Sequence, residues 1–160
     1  MRTTPVLFWN LLIACSLAGC QESKPDLVAV RGQVTLTDKP VVGFVVSFRP
    51  IGATDGHGSL GETDDQGKFE LSAVRGGKGA YDGMYKVHFY PAPKPKDLED
   101  PANVVATGNP GSMPGIYINP NQSPLVAEVP LEACFVEIKL AQSANESQVT
   151  TTLEAEHPQE

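Results

Sequence analysis

The chain has 160 residues and a formal net charge of −7, with 19 acidic side chains against 12 Lys and Arg. That balance argues against nucleic acid and anionic lipid as partners, because both need clustered cations. The length bounds the molecule to one domain with a real core, and 15 Gly with 14 Pro favour many turns and short strands over helices.

The amino-terminal stretch carries one positive charge, Arg2, followed by an apolar run from Val6 to Ala18 broken only by Asn10 and Ser16. The run has the length of a signal-peptide core and is too short to cross a bilayer as a stable helix. It ends in Leu17-Ala18-Gly19-Cys20. These four residues match the lipobox of bacterial lipoproteins. The resemblance implies cleavage between Gly19 and Cys20, a diacylglyceryl thioether on Cys20 and fatty acylation, palmitate included, of the new amino terminus. Two or more acyl chains give stable anchoring, at roughly 0.8 kcal/mol per buried methylene. The absence of an Arg-Arg pair argues against the twin-arginine route. Gln21 follows the lipid-bearing cysteine, where the Asp that favours inner-membrane retention in many Gram-negative bacteria would stand. The expected location is the cell envelope, outside the cytoplasm, with the outer membrane preferred.

Loss of Met1–Gly19 leaves 141 residues with a net charge near −8. Cys15 leaves with the signal and Cys20 is lipidated, so Cys134 is the one thiol remaining and the mature chain has no internal disulfide. Cys134 lies on the apolar side of an alternating run and reads as a small buried hydrophobe. Glu132 and Glu137 beside it oppose the electropositive setting that a nucleophilic thiol needs.

Residues 20–26 form the lipidated cysteine and a polar tether. A β-sandwich domain follows over 27–141. Val28, Val30, Val34 and Leu36 share one face of a first strand, with Gly32 marking a bulge or a close approach. Thr37–Pro40 is a turn. The second strand, Val41–Arg49, puts Val42, Phe44, Val46 and Phe48 on one face, and pairs with the first as a hairpin or neighbours it in a sandwich. After a Gly-rich loop come a short strand at Leu60–Thr63, a tight turn at Asp64–Gly67 and a strand at Lys68–Ser72. Met84–Tyr90 is a further strand, with Tyr85, Val87 and Phe89 on one face. Prolines keep residues 91–115 from regular structure, and a loop this long in a compact domain is mobile or functional. Ile116–Ile118 reads as a small edge strand, and Leu125–Val129 and Ala133–Leu140 as the last two strands. Residues 142–160 read as a disordered acidic tail, with a weaker signal for one more edge strand at Val149–Leu153. About seven short strands without a helical stripe predict an all-β, immunoglobulin-like sandwich.

The stretches Val30–Leu36, Lys39–Phe48, Thr63–Leu71 and Gly83–Val87 together resemble the carboxypeptidase regulatory-like domains. Those carry a V-x-G-x-V strand, a P-x-x-G-a-x-V-x-F strand, a T-D-x-x-G-x-F hairpin and a G-x-Y-x-V strand. The chain also resembles the small lipoproteins of this type in planctomycete bacteria, which often continue with a Pro-rich insertion and segments like Pro114–Tyr117 and Ser123–Val129. The likeness covers roughly Val28 to Leu140. It implies a transthyretin-like, seven-stranded sandwich and little about activity, since the domain is named for a non-catalytic appendage of carboxypeptidases. Phe44 departs from the pattern, which prefers Ala there. Gly67 suits a turn position with positive φ, and Phe69 and Tyr85 supply core area.

No catalytic constellation, metal site or cofactor motif emerges. Asp64-Asp65-Gln66-Gly67 with Glu62 lacks the alternate acids and closing Glu of a calcium loop, and reads as an Asp-initiated turn. His57, between glycines, and His88, on an exposed strand face, read as solvated, and His157 falls in the tail. An isopeptide bond lacks its Lys, since the first strand carries Arg31. Tyr81, Tyr90 and Tyr117 fall in or beside loops and are the candidate ligand contacts, since aromatic rings stack on sugars. The expected function is a lipid-anchored, non-enzymatic envelope module that is structural or binds a protein. The alternative is a carbohydrate-binding module for envelope or environmental polysaccharide.

Overall fold

Strict alternation sets the faces of the first strand. The computed structural model describes residues 26–95, 104–106 and 109–154, and in it β1 (Val30–Leu36) buries Val30 and Val34 completely while Arg31 stays exposed. Eleven further strands follow in order: β2 (Lys39–Pro40), β3 (Phe44–Ile51), β4 (Ser59–Glu62), β5 (Lys68–Glu70), β6 (Ser72–Ala73), β7 (Gly83–Pro91), β8 (Pro93–Pro95), β9 (Val104–Ala106), β10 (Val126–Val129), β11 (Cys134–Leu140) and β12 (Gln148–Leu153).

Ten of them form two five-stranded sheets. One runs β12-β11-β1 and is flanked beyond β1 by β2 and β5; the other runs β10-β7-β3-β4-β6. All pairings in the two sheets are antiparallel except β1 with β11, which runs parallel from Val30 opposite Cys134 to Leu36 opposite Leu140. The inward faces meet in one core. Val30, Val34, Phe69, Val136 and Ile138 come from the first sheet, and Phe44, Val46, Phe48, Tyr85, Val87, Phe89 and Val129 from the second. Phe48 touches both sides, with ring centroids 6.3 Å from Phe69 and 5.7 Å from Tyr85. The fold is an all-β sandwich.

It holds ten strands where seven are predicted. The additions are β2 and β6, two residues each, and β12, which comes from the stretch read as a disordered tail. In β12, Val149 lies opposite the buried Ile138 and packs on the core. Its two-residue period outweighs the polar composition. Residues 155–160 lie outside the described residues.

Three further expectations change. The turn Asp64–Gly67 does not close a hairpin: β4 pairs with β3 and β5 with β1, so the chain crosses from one sheet to the other there. It crosses back at Leu71, which is fully buried. Val42 is 43% exposed and outside β3, because Val41–Gly43 is also a crossing, with Val41 bonded to Val34 in one sheet and Gly43 to Thr63 at the other. Ile116–Ile118 belongs to a single helical turn, Gly115–Ile118, whose Tyr117 plugs the core. The Ile-Tyr-Ile alternation fits a strand, but Pro114 and Gly115 tighten the chain into a turn closed by the Tyr117 and Asn119 amides.

Within the predicted Pro-rich loop, β8 and β9 form a two-stranded ribbon and Pro110–Ser112 a 3-10 turn capped by Asn109. Residues 96–103 and 107–108 lie outside the described residues.

Candidate functional site

Gly19 and Cys20, with the signal and most of the tether, lie outside the described residues. The other candidates are placed as follows.

Asp64 is committed to its own turn. Its carboxylate accepts hydrogen bonds from the amides of Gln66 (2.8 Å) and Lys68 (2.9 Å), and the Gly67 amide reaches its carbonyl. Gly67 has φ +72°, as the sequence predicts, and the carbonyl of Val34 leaves no room for a side chain there. Among the described residues, no three His, Cys, Asp or Glu side chains converge to hold a metal ion.

Cys134 is fully buried at the start of β11, facing the core. Burial, with Glu154 adding to it, pushes its thiol up to about 11, so the thiolate a nucleophile needs is disfavoured. His57 is exposed in the loop after β3. His88 faces outward from β7, so the whole sandwich core separates it from Cys134.

The three tyrosines do not form a platform. Tyr117 is fully buried, and its hydroxyl donates to the Ala141 carbonyl at 2.8 Å and meets Ser147 Oγ, so it offers no face to a sugar. Tyr81 lies on the backbone of Gly56, and its carbonyl accepts the buried Tyr85 hydroxyl at 2.8 Å. Burial raises that hydroxyl to about 12, with Asp82 contributing. Tyr90 stands at the far end of β7. Tyr81 precedes β7, whose rise from Gly83 to Tyr90 is roughly 23 Å at about 3.3 Å per residue.

What the structure does assemble is the outward face of the β10-β7-β3-β4-β6 sheet. The inward residues of β3 and β7 fill the core, so Val45, Ser47, Arg49 and Ile51 of β3 and Met84, Lys86, His88 and Tyr90 of β7 turn outward. Register sets Val45 opposite Tyr90, Ser47 opposite His88, Arg49 opposite Lys86 and Ile51 opposite Met84. Leu60 and Glu62 extend this face through β4, and Val126 and Glu128 through β10. Val45 and Ser47 are each 8% exposed, sunk between larger neighbours. The His88 and Tyr90 rings are 6.3 Å apart. His88 Nδ1 is buried without a hydrogen-bond partner among the described residues. Burial, then the Arg49 charge, lowers the His88 pKa.

Sequence reasoning singled out Tyr90, His88 and Glu62 of this face. Arg49, Lys86 and Met84 gave no signal by themselves, because their significance lies in cross-strand register between segments some 35 residues apart.

No protein-family model, curated protein or solved structure matches the chain.

Proposed function

We propose that this chain is a lipid-anchored, non-catalytic module of the bacterial cell envelope, holding a β-sandwich outside the cytoplasm as a structural or protein-interaction element. The observation that carries the reading is the sequence Leu17-Ala18-Gly19-Cys20 placed immediately before a folded domain. Val28 already belongs to the folded domain, bridging Ala80 through backbone hydrogen bonds of 2.7 and 2.9 Å. A six-residue tether reaches at most about 20 Å, so the sandwich works close to the bilayer. The buried Cys134 leaves Cys20 as the thiol for acylation. The scattering of Cys134, His57 and His88 supports a binding role over catalysis, as does the resemblance to carboxypeptidase regulatory-like domains. Gln21 favours the outer membrane.

The test is Cys20→Ser in cells supplied with labelled palmitate. The expected result is loss of label and release to the soluble fraction. A labelled or membrane-retained variant overturns the anchor.

A second reading, a carbohydrate-binding module, now rests on Tyr90 beside His88. Retention of the purified domain on an immobilised polysaccharide, lost in Tyr90→Ala, would favour it over the first.

A further inference from the structure

The outward sheet face just described has an unusual charge order. Arg49 and Lys86 are direct cross-strand partners, and like charges in that position repel and destabilise a sheet. Val126 lies opposite Lys86 on its other side, so the middle row reads Val126, Lys86, Arg49. The three ion pairs among the described residues, Arg31–Glu154, Lys78–Glu70 and Lys139–Glu137, all lie elsewhere. Among those residues, neither Arg49 nor Lys86 has a carboxylate within ion-pair reach, and Lys86 Nζ donates to the Asn121 carbonyl at 3.2 Å. A chain with seven more acids than cations has carboxylates available to neutralise this pair. Glu62 and Glu128 stand at the margins of the face instead.

The surroundings of the pair narrow the chemistry of what covers it. Ile51, Met84 and Val126 are 37%, 41% and 43% exposed and border the two cations. A recess beside them is lined by Ile51, Thr54, Asp82 and Met84. The apolar groups bordering the pair are aliphatic and thioether, which give a sugar no flat ring to stack on. Met and Arg at a partly apolar, flat surface are the mark of protein interfaces, and contiguous exposed apolar groups rimmed by polar ones mark interaction sites.

We propose that this face docks a partner protein through a carboxylate-bearing segment that lies across Arg49 and Lys86, with flanking apolar side chains against Ile51, Met84 and Val126. The proposal rests on the interaction-module reading above, and gives that module its surface and its partner's chemistry. No carboxylate among the described residues pairs with the two cations, and in this proposal the neutralising group arrives with the partner. Complementary charge of this kind guides encounter and fixes register, while the apolar contacts hold the complex.

The test uses the full-length lipidated protein in its own cells, with a photo-cross-linking residue at Met84 or Val126, or at Thr150 on the outward face of the other sheet as control. The expected result is one discrete protein adduct from Met84 and Val126 and none from Thr150. The cross-linked peptide should contain at least two carboxylates. Arg49→Glu with Lys86→Glu should cut the yield about ten-fold or more, and Arg49→Lys should keep it. Unfolding curves of each variant exclude loss of fold, and Arg49→Gln with Lys86→Gln gives a milder substitution at the same exposed positions. An adduct that survives charge reversal, one to polysaccharide alone, or one to a second copy of this chain overturns the proposal. Protein adducts from Thr150 alone overturn this face but leave the interaction module standing. No protein adduct from any position overturns both.

Discussion

The ring of Phe69 occupies the space where a side chain on Gly32 would stand. The two residues are cross-strand partners in β5 and β1, and a Cβ on Gly32 would overlap both Phe69 Cζ and the carbonyl oxygen of Val136. The same ring reaches Phe48 of the opposite sheet, so one aromatic covers a glycine and ties the layers together. Gly32→Ala should therefore destabilise the domain by about 1–3 kcal/mol through overpacking, and Phe69→Ala by about 3–5 kcal/mol through the cavity it leaves. The double variant should cost less than the sum, because removing the ring relieves half of the overlap. Chemical denaturation of the three variants measures this. Strict additivity would show that the ring does not set the limit at Gly32.

Tyr117 is a clasp between the helical turn and the carboxy-terminal hairpin. Its hydroxyl meets the Ala141 carbonyl and Ser147 Oγ, and Ser147 Oγ in turn accepts the Ala141 amide at 3.0 Å. Tyr117→Phe leaves these groups short of a partner at a cost of about 1–3 kcal/mol. Hydrogen exchange should show the loss concentrated in β12, with β3 and β7 amides still protected. Equal loss in β3 would mean that Tyr117 serves the core alone.

The pH dependence of stability has a component assigned to His88. Its folded pKa lies below the ordinary 6.5, first through burial and second through Arg49. A depressed histidine pKa means the unfolded chain binds the proton more readily. The stability from keeping this imidazole neutral is thus present above 6.5 and is lost as pH falls from there through the folded pKa. His88→Gln should flatten the unfolding midpoint between about pH 7 and pH 5. Arg49→Gln should raise the His88 pKa only part of the way, since burial remains. An imidazole titration followed by NMR reads that shift, and no movement in Arg49→Gln would remove the guanidinium as a cause.

Local alternation revealed the strands whose two faces differ in polarity, namely β1, β7, β10 and β11, and the requirement for Gly67. It also suggested a close approach at Gly32. It failed where the chain changes sheets. At Asp64–Gly67 and Leu71 the residues on either side alternate as a hairpin would, and which neighbour each strand chooses depends on segments far away. It failed at Tyr117 because an aromatic between two isoleucines satisfies a strand pattern and a core plug equally. Of the sugar-contact candidates Tyr81, Tyr90 and Tyr117, only Tyr117 is fully buried, because a tyrosine in a loop segment can point inward when a backbone carbonyl accepts its hydroxyl. The outward face carrying Arg49 and Lys86 became legible only once register was known.

The parallel pairing of β1 with β11 governs when this domain can fold. Chains emerge amino end first, and β1 has no partner on that side until Cys134–Leu140 has appeared. Loop closure across nearly the whole domain must precede the central ladder, which is the topology of a slow folder. Until then β1 presents an open, valine-rich edge able to pair with another chain. A nascent chain stalled before β11 is thus the species most prone to aggregate, because the central ladder closes only with Cys134–Leu140.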